Sequence, residues 1–419
     1  MKLDLARLNH VLIPATKDGR DRLRQSRLGR ALRPLERLFA ATTPDGRLFL
    51  TLALLAGVFG LDARRTEAHF LFALFFAAVA ASVLVGRRLP LTGARLEVLS
   101  PRAVAVGEEV SFRVSCANPS GTALPTLHVR RPFLPYDGTW VEGSPLIGGV
   151  APRGRGGTEL RARFRQRGEH HLDPFGVGVL VPFGLAVGPL LESPGVRFVV
   201  VPRVANLARL TLPLGRRYQS GGVALASKTG DSTEFLGVRP YRPGDAVRDL
   251  HARSSARAGL PVVRERQQEF FSRVAVILDA ELGGAPPRAL EAALSLTAGL
   301  VAHLTRGESL VDLAVASEPR QTLRLGRSLG HLDQALELLA CVARGAPLVP
   351  EALLARLDLR PLSGVVLVGL GFTDAHRRFA ASVRAAGVGC RVLLVGEAVA
   401  GEATAVPVAA IERGEALLL

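Results

Sequence analysis

Two uncharged apolar runs near the N-terminus constrain this chain more than any other feature. They cover residues 48–61 (LFLTLALLAGVFGL) and 70–85 (FLFALFFAAVAASVLV), with a short polar link between them. A helix that is apolar on all sides is rare outside membranes, so the runs predict a two-helix membrane hairpin over residues 47–88. A buried helical hairpin in a soluble protein is the alternative. Each run gives about 21–24 Å of helix against a bilayer core of roughly 30 Å, so flanking arginines are expected to snorkel.

Arginines flank the outer ends of this hairpin. Seven lie between residues 20 and 37, and three more follow the second run by residue 95, whereas the link carries Asp62 and Glu67 beside its two arginines. Under the positive-inside rule this asymmetry predicts a two-pass protein of the inner (plasma) membrane, with both termini and the soluble domains in the cytoplasm. Within the basic segment 1–46, leucines at near-helical spacing over residues 21–40 favour either a helix on an anionic leaflet or a solvated helix.

Positive charge in this chain is almost wholly arginine. The 53 basic residues exceed the 37 acidic ones and give a net charge of +16, yet only three of the 53 are Lys. Aromatic residues make up 5% of the chain, too few for base-stacking platforms, so we expect no nucleic-acid partner. Three widely spaced cysteines, at positions 116, 341 and 390, form neither a metal-ligand spacing nor a disulfide framework, which fits a reducing compartment.

Period-two patterning begins after the hairpin. Apolar and polar residues alternate over 110–116 and 160–165, and Gly, Pro and Asn turn signals separate such stretches. This pattern is typical of short strands with one buried face. It predicts an antiparallel β-sandwich of immunoglobulin size over residues 95–205. His170 and His171 are adjacent there, and because neighbouring strand residues point to opposite faces, we expect no shared metal site.

Beyond residue 271 apolar strands alternate with helical patterns. Residues 273–279 are typical of a buried strand that ends in Asp279, and residues 287–306 of a helix with Pro at its start and Gly after its end. Further strands are predicted at 311–316, 365–370 and 392–395, and helices at 329–344 and 374–386. This alternation predicts an α/β domain over 271–419 with a parallel sheet covered on both faces. Asp279 then lies at the carboxyl-end rim, where such sheets bind ligands.

Residues 206–270 separate these two regions and contain a charge-dense stretch. From residue 233 to residue 266 it reads TEFLGVRPYRPGDAVRDLHARSSARAGLPVVRER, with seven arginines. Asp245 follows a Pro-Gly turn, where its side chain is expected to accept backbone amides. The arginines are expected to form bidentate pairs with Glu234, Asp245, Asp249 and Glu265. Taken alone, the stretch predicts a polar network that holds an extended segment against the α/β domain.

The order and spacing of this stretch resemble the signature of the domain of unknown function 58 family. That signature has E-F, then L-R-x-Y, P-G-D, an Arg, I-H-W or I-D-W, and S-A-R. The matching residues are Glu234, Phe235, Arg239, Tyr241, Pro243, Gly244, Asp245, Arg248, His251, Ser255, Ala256 and Arg257. One departure is Ala252, which stands where the family has an aromatic residue. The layout from about residue 44 onward, with a D-P-F-G turn at 173–176, is similar to that family as well.

The resemblance implies that residues 271–419 form a von Willebrand factor type A-like domain, which is a Rossmann-like α/β fold. Such a domain holds a divalent metal through an Asp-x-Ser-x-Ser motif and later Thr and Asp residues, since hard cations take oxygen ligands. Here both serines are missing from residues 279–283. Asp279, Glu281 and Asp374 remain as candidates for holding Mg²⁺ in another way. The expectation that the sequence favours is a metal-independent relic of the site, with no cofactor.

The resemblance also implies a partner, since similar proteins are commonly associated with MoxR-type AAA+ ATPases. His251 lies too near Ser254 and Ser255 in sequence for a catalytic triad. We therefore predict a membrane-anchored adaptor or scaffold rather than an enzyme. Two alternatives stay open: a divalent-metal-dependent binding protein or metalloenzyme that uses the strand-end acids, and a cell-envelope structural protein.

Overall fold

The chain contains both helices and several β-sheets, arranged in two compact units, residues 1–200 and 201–419. The computed structural model describes residues 39, 41–59, 66–141, 144–213, 220–229, 235–270, 272–307, 309–316, 322–325, 329–343, 345, 348–396 and 403–419. The basic helix predicted over residues 21–40 lies outside these ranges except for Phe39, and the link at 60–65 lies outside them as well. Each unit is described below by itself.

Two antiparallel helices form the hairpin, and both exceed the apolar runs that predicted them. Helix α1 covers Pro44–Phe59 and helix α2 covers Thr66–Arg87. Polar residues at the start of α2 and Gly-Arg at its end continue the helix, because helix formation does not require apolar side chains. At 22 residues α2 is about 33 Å long, so the predicted shortfall was wrong for this helix. In the described part of the chain, α2 alone is long and apolar enough to cross a membrane.

The base of the hairpin is packed onto a loop of the β-rich region. Val79 and Val83 of α2 share a small buried cluster with Leu185 and Ala186. The Thr43 hydroxyl donates to the Gly184 carbonyl, and the Thr43 amide donates to the Leu185 carbonyl at 3.2 Å. These contacts fix where the apolar helices leave the folded unit.

Eleven strands form the described part of the β-rich region. They are β1 Arg95–Leu99, β2 Ala103–Ala105, β3 Glu109–Ala117, β4 Leu127–Arg130, β5 Gly138–Trp140, β6 Leu146–Ile147, β7 Arg155–Phe164, β8 Gly168–Leu172, β9 Gly176–Val179, β10 Leu191–Glu192 and β11 Val196–Val201. Their sheets have the orders β1-β3-β7-β5, β10-β9-β4-β6 and β2-β11-β8. The alternation predicted over 110–116 is confirmed in β3, where every second side chain is buried. The sheets share one core, in which the rings of Phe112, Phe175 and Phe198 meet.

The second unit alternates strands and helices. Its elements are β12 Leu207–Arg209, β13 Ser220–Thr229, β14 Phe235–Pro240, α3 Ala252–Ala258, β15 Val262–Phe270, β16 Arg273–Leu278, α4 Pro287–Arg306, β17 Leu310–Val315, β18 Thr322–Leu325, α5 Leu329–Cys341, α6 Pro350–Leu354, β19 Gly364–Gly369, α7 Asp374–Ala385, β20 Gly389–Val395, β21 Thr404–Val406, α8 Val408–Arg413 and β22 Leu417–Leu418. The large sheet has the order β18-β17-β16-β19-β20-β21. All its pairs are parallel except β17–β18.

Helices cover both faces of this sheet, as the sequence predicted. Alternate residues of β16 divide between two cores: Val274 and Val276 face α4, whereas Ala275 and Ile277 face the core that contains Phe379 of α7. Helix α4 has the bounds predicted for it, and Gly307 follows its last residue. The antiparallel edge strand β18 was not predicted.

Two smaller sheets complete the second unit. Strand β12 pairs in parallel with β22, so the last strand of the chain lies beside the first strand of this unit. Between β12 and β16 the chain forms a three-stranded sheet of order β13-β15-β14. This smaller sheet carries the signature stretch.

Candidate functional site

The signature stretch forms a hairpin of β14 and β15 joined by two short helical turns. Strands β14 and β15 pair antiparallel, with Arg239 opposite Val263. A 3-10 turn covers Val247–Asp249, and α3 follows it. Glu234 lies outside the described residues, and of Phe235 only the backbone is described. The predicted pairs with Glu234 and Glu265 are therefore not placed.

A fork between Arg239 and Asp245 closes the first loop of this hairpin. The two guanidinium Nη atoms donate to the two carboxylate oxygens at 2.7 and 2.8 Å, and the Arg242 amide donates to the same carboxylate at 2.8 Å. The hydrogen bonds from Arg239 and from that amide lower the pKa of Asp245 from 3.8 to about 2. Gly244 permits the turn because its φ of 105° disfavours other residues. The bidentate pair predicted for Asp245 is confirmed.

Ser255 and His251 join the second loop to β15. The Ser255 hydroxyl donates to the His251 carbonyl at 3.0 Å and accepts from the Val262 amide at 2.9 Å. His251 Nδ1 lies 2.7 Å from the Ser254 hydroxyl. Gly259 ends α3 in the left-handed conformation, with a φ of 70°. Ser255 of the S-A-R part of the signature thus anchors a short helix to β15.

Most side chains of this braced hairpin face solvent. Arg257, Pro243 and Ala252 are exposed, and Arg248 is exposed beside Asp249, with 4.0 Å between their charged atoms. Apolar side chains are exposed as well, and Val247 shows 73% of its surface. The bonds described here lie within the hairpin itself, so the predicted clamp against the α/β domain stays a prediction, and the outer surface is exposed. We call it the signature surface and define it by Tyr241, Val247, Arg248, Arg257 and Leu260.

Asp279 lies at the carboxyl end of β16, as predicted, but it is buried and paired with a histidine. His376 Nε2 lies 2.9 Å from Asp279 Oδ2, and only 2% of each side chain is exposed. The Thr373 amide donates to His376 Nδ1 at 3.2 Å, so the ring proton of a neutral His376 is on Nε2. Among the described residues Nε2 has no partner with hydrogen-bond geometry, so its approach to Asp279 is a close polar contact. Gly369 leaves room for the ring, since a Cβ there would lie 3.3 Å from Nε2.

The other two candidate metal ligands have different surroundings. The backbone amide of Glu281 donates to Asp279 Oδ1 at 3.1 Å. Glu281 therefore contacts Asp279 through its backbone and not through its carboxylate. Asp374 begins α7 with 85% of its side chain exposed and pairs with Arg377. Over the described ranges, no three His, Cys, Asp or Glu side chains are grouped as a metal ion requires. Asp279 is instead positioned for a contact with an internal imidazole.

Two histidine pairs were not anticipated. His376 has a local signal, because Thr373-x-x-His376 forms a reciprocal capping box at the start of α7. His170 pairs with Asp137 inside the β-rich unit, with 3.0 Å between Nε2 and Oδ2. Neither carboxylate partner is near its histidine in sequence, so spacing does not predict these pairs.

Comparisons with known proteins add little. No protein-family model and no curated protein matches the chain. The native conformation of Escherichia coli alpha-2-macroglobulin aligns at 16% identity over 38% of this chain and 8% of its own, with a TM-score of 0.21. Its part from domain MG7 to the C-terminus aligns at 15% identity over 33% and 20%, with a TM-score of 0.22. A GH20 exo-β-N-acetylglucosaminidase from Vibrio harveyi aligns at 10% identity over 70% and 60%, with a TM-score of 0.16.

This chain spans less than a tenth of the length of the complete macroglobulin that it matches. Similarities with TM-scores this low carry no argument about fold or function.

Proposed function

We propose that this chain is a membrane-anchored adaptor of the kind found in the domain of unknown function 58 family, with a MoxR-type AAA+ ATPase as its partner. In this proposal the hairpin of α1 and α2 anchors the protein, the β-rich region is a sandwich, and the large sheet belongs to a von Willebrand factor type A-like domain. The observation that carries the proposal is the signature surface, which is exposed although hydrogen bonds within the hairpin hold its backbone.

Rigidity and exposure together favour a protein interface. The Arg239–Asp245 fork and the Ser255 bonds fix the backbone of both loops without covering their outer side chains. A surface ordered before binding loses less conformational entropy when a partner docks. Arginine and tyrosine are also enriched where protein interfaces bind most tightly. Arg248, Arg257 and Tyr241 supply these residue types on one segment.

Membrane anchoring is supported by the outer surface of the hairpin. Leu54 and Phe70 are each 67% exposed, and further large apolar side chains on both helices are exposed. An exposed apolar surface of that extent is typical of a membrane or protein contact. Resistance to carbonate extraction tests insertion, and protease protection of sealed inverted vesicles tests whether residues 201–419 face the cytoplasm. Protection in the opposite orientation would favour the cell-envelope alternative.

Binding to the ATPase tests the interface directly. Tagged full-length protein in mild detergent is titrated with the purified MoxR-type ATPase in ATP and in ADP. We expect Arg248→Glu and Arg257→Glu to weaken binding by at least about tenfold, because each places a like charge against the partner's acidic side chains. Arg378→Glu on α7 is the matched control, since it changes the same charge at another exposed position.

Three results would count against the proposal in different ways. Unchanged binding in both signature variants would remove the signature surface from the interface. Equal weakening in Arg378→Glu would mean that overall charge, and not this surface, controls association. If the unsubstituted protein fails to bind the ATPase in either nucleotide, the partnership itself is wrong.

A further inference from the structure

A cleft beside the base of the hairpin gathers cationic side chains. Its volume is about 350 Å³, near the lower end of the roughly 300–1,000 Å³ range of small-ligand sites. One wall is formed at the start of α1 by Thr42, Thr43, Pro44 and Arg47. Strand β4 and the residue after it form another wall, with His128, Arg130 and Arg131. Among the described residues that line the cleft, none is acidic.

Two buried nitrogens at this cleft lack a hydrogen-bond partner within the described part of the chain. They are Nε of Arg47 and Nδ1 of His128. Arg47 is otherwise ordered, since its Nη2 donates to the Phe39 carbonyl at 3.0 Å and its guanidinium lies 3.6 Å from the Phe39 ring centre. A buried donor without a partner costs roughly 1–3 kcal/mol, so a ligand that supplies an acceptor is favoured here.

Two arginine charges act on His128 at this cleft. Burial, followed by the charges of Arg131 and Arg47, lowers the pKa of His128 below its ordinary value. Arg130 is compensated by Glu192 of β10, with 2.8 Å between their charged atoms. Arg47 bonds only to a neutral carbonyl among the described residues, so its charge remains available to an anion.

The cleft lies at the polar end of the apolar helices. Leu48 and Leu52, exposed on α1, follow Arg47 within about one and a half turns. On the loop that packs against α2, Phe183 is 90% exposed and has a φ of 68°. A positive φ is strained for an aromatic residue, and exposed aromatic rings are enriched at the membrane–water interface. Both features place the cleft at headgroup depth if the hairpin spans the bilayer.

We propose that this cleft binds a phosphate-bearing anion, namely the headgroup phosphate of an anionic phospholipid at the base of the hairpin. That the phosphate comes from a lipid rests on the proposed membrane anchoring, whereas the binding of an anion in the cleft does not. Guanidinium groups bind phosphate oxygens through charge-assisted, often bidentate, hydrogen bonds. Basic clefts beside membrane helices are a known form of headgroup recognition. The Arg47 Nε–H gains the acceptor that it lacks.

The chain contains its own optical probe for this test. Trp140 is its one tryptophan, and the Arg131 guanidinium lies 5.6 Å from the Trp140 ring centre. Full-length protein in a nonionic detergent is titrated with short-chain phosphatidylglycerol, with phosphatidylcholine of the same chain length, and with inorganic phosphate. Tryptophan fluorescence and isothermal titration calorimetry follow binding in parallel. The variants are Arg47→Gln, Arg47→Lys and the control Arg88→Gln, an exposed arginine at the same end of the hairpin.

We expect phosphatidylglycerol to bind saturably. Arg47→Gln is expected to weaken this binding by at least about tenfold, because the lost Nε–H donor bonds the phosphate. Arg47→Lys is expected to weaken it less, and Arg88→Gln to leave it unchanged. Competition by millimolar inorganic phosphate supports an anion site whose ligand is a soluble phosphate. Equal binding of phosphatidylcholine, or equal weakening in Arg47→Gln and Arg88→Gln, overturns the proposal. Arg47→Lys also controls for misfolding, because it retains the charge. Carbonate extraction separates this proposal from that of membrane anchoring. If carbonate extracts the protein from membranes and the protein still binds phosphate, membrane anchoring is wrong but the anion site is retained.

Discussion

His170 Nε2 lies 3.0 Å from Asp137 Oδ2 inside the β-rich unit, where 9% and 5% of the two side chains are exposed. The second ring nitrogen, Nδ1, lies 3.0 Å from the Gly168 carbonyl. Both ring nitrogens therefore face acceptors, and only the doubly protonated ring donates to both. Burial opposes the charge, but the hydrogen bonds to Asp137 and Gly168 outweigh it, and the pKa of His170 is raised.

This pair predicts that the β-rich unit loses stability at alkaline pH. Because the folded-state pKa is raised, the stabilisation is fully present below about pH 6.5 and is lost as pH rises through the folded-state value. Trp140 fluorescence reports unfolding of this unit, since it contains the one tryptophan. We expect a lower unfolding midpoint at pH 9 than at pH 6. His128, whose pKa is lowered, has the opposite effect below about pH 6.5, and the His170→Gln variant retains it as a control. A His170→Gln variant that keeps the full pH dependence would contradict this assignment.

Removing one partner of the strand-end pair is expected to destabilise the second unit. His376→Ala leaves the Asp279 carboxylate buried without its imidazole, a change that typically costs about 3–5 kcal/mol. Asp279→Asn combined with His376→Ala also removes the buried carboxylate charge, so the double variant is expected to be more stable than His376→Ala. Calorimetric unfolding of the full-length protein measures both effects. A double variant less stable than the single one would mean that the contact is not electrostatic.

The same pair gives a test of the metal alternative. We expect Mg²⁺ at millimolar concentration to leave the unfolding temperature of the second unit unchanged, because Asp279 already contacts His376 and Asp374 pairs with Arg377. Saturable stabilisation by Mg²⁺ that Asp279→Asn abolishes would establish the metal-dependent reading instead. Asp358→Asn, which changes an exposed carboxylate elsewhere in the unit, is the control.

The Arg239–Asp245 fork is expected to open in acid. The pKa of Asp245 is lowered to about 2, so its contribution is present above pH 3.8 and is lost as pH falls towards 2. Asp245→Asn is expected to reproduce this opening at neutral pH, with faster hydrogen exchange at the Arg242 amide. Arg239→Lys keeps the charge but loses the bidentate geometry, so partial opening is expected. If the hydrogen exchange rate of the Arg242 amide is unchanged in Asp245→Asn, contacts other than this fork hold the loop.

Gly46 is expected to be indispensable for seating the hairpin. A Cβ at this position would lie 1.9 Å from the Leu185 carbonyl oxygen, which is backbone and cannot rotate away. Gly46→Ala is therefore expected to destabilise the first unit by about 1–3 kcal/mol. Gly57→Ala in the same helix meets only the Phe72 ring, at 3.1 Å, and serves as the control. Equal unfolding midpoints for the two variants would contradict the packing described at the base.

Local patterns predicted local structure well. Helix α4 has its predicted bounds because Pro287 and Gly307 mark its two ends. The bounds of α2 were underestimated, because its first and last turns are polar yet helical. The signature turn and its Arg239–Asp245 fork were predicted since both partners lie within one loop.

Contacts set by sheet register were not predictable in the same way. The parallel register of β16 and β19 aligns Leu278 with Val368, which brings Asp279 to the place where Gly369 and His376 lie. Nearly one hundred residues separate Asp279 from His376, and periodicity carries no information about such a pairing. For the same reason the exposure of the signature surface follows only from the folded chain.

The pairing of β12 with β22 makes the signature stretch an insertion that is tethered at both ends to one folded body. Ala205 and Leu207 pack against the large sheet's helix at Gly299, where a Cβ would lie 2.6 Å from the Ala205 carbonyl. A fragment that begins at residue 271 therefore lacks a strand that its own C-terminus requires. Residues 210–272 leave this unit beside β22 and re-enter it at β16, so the two ends of the segment are attached to two different sheets.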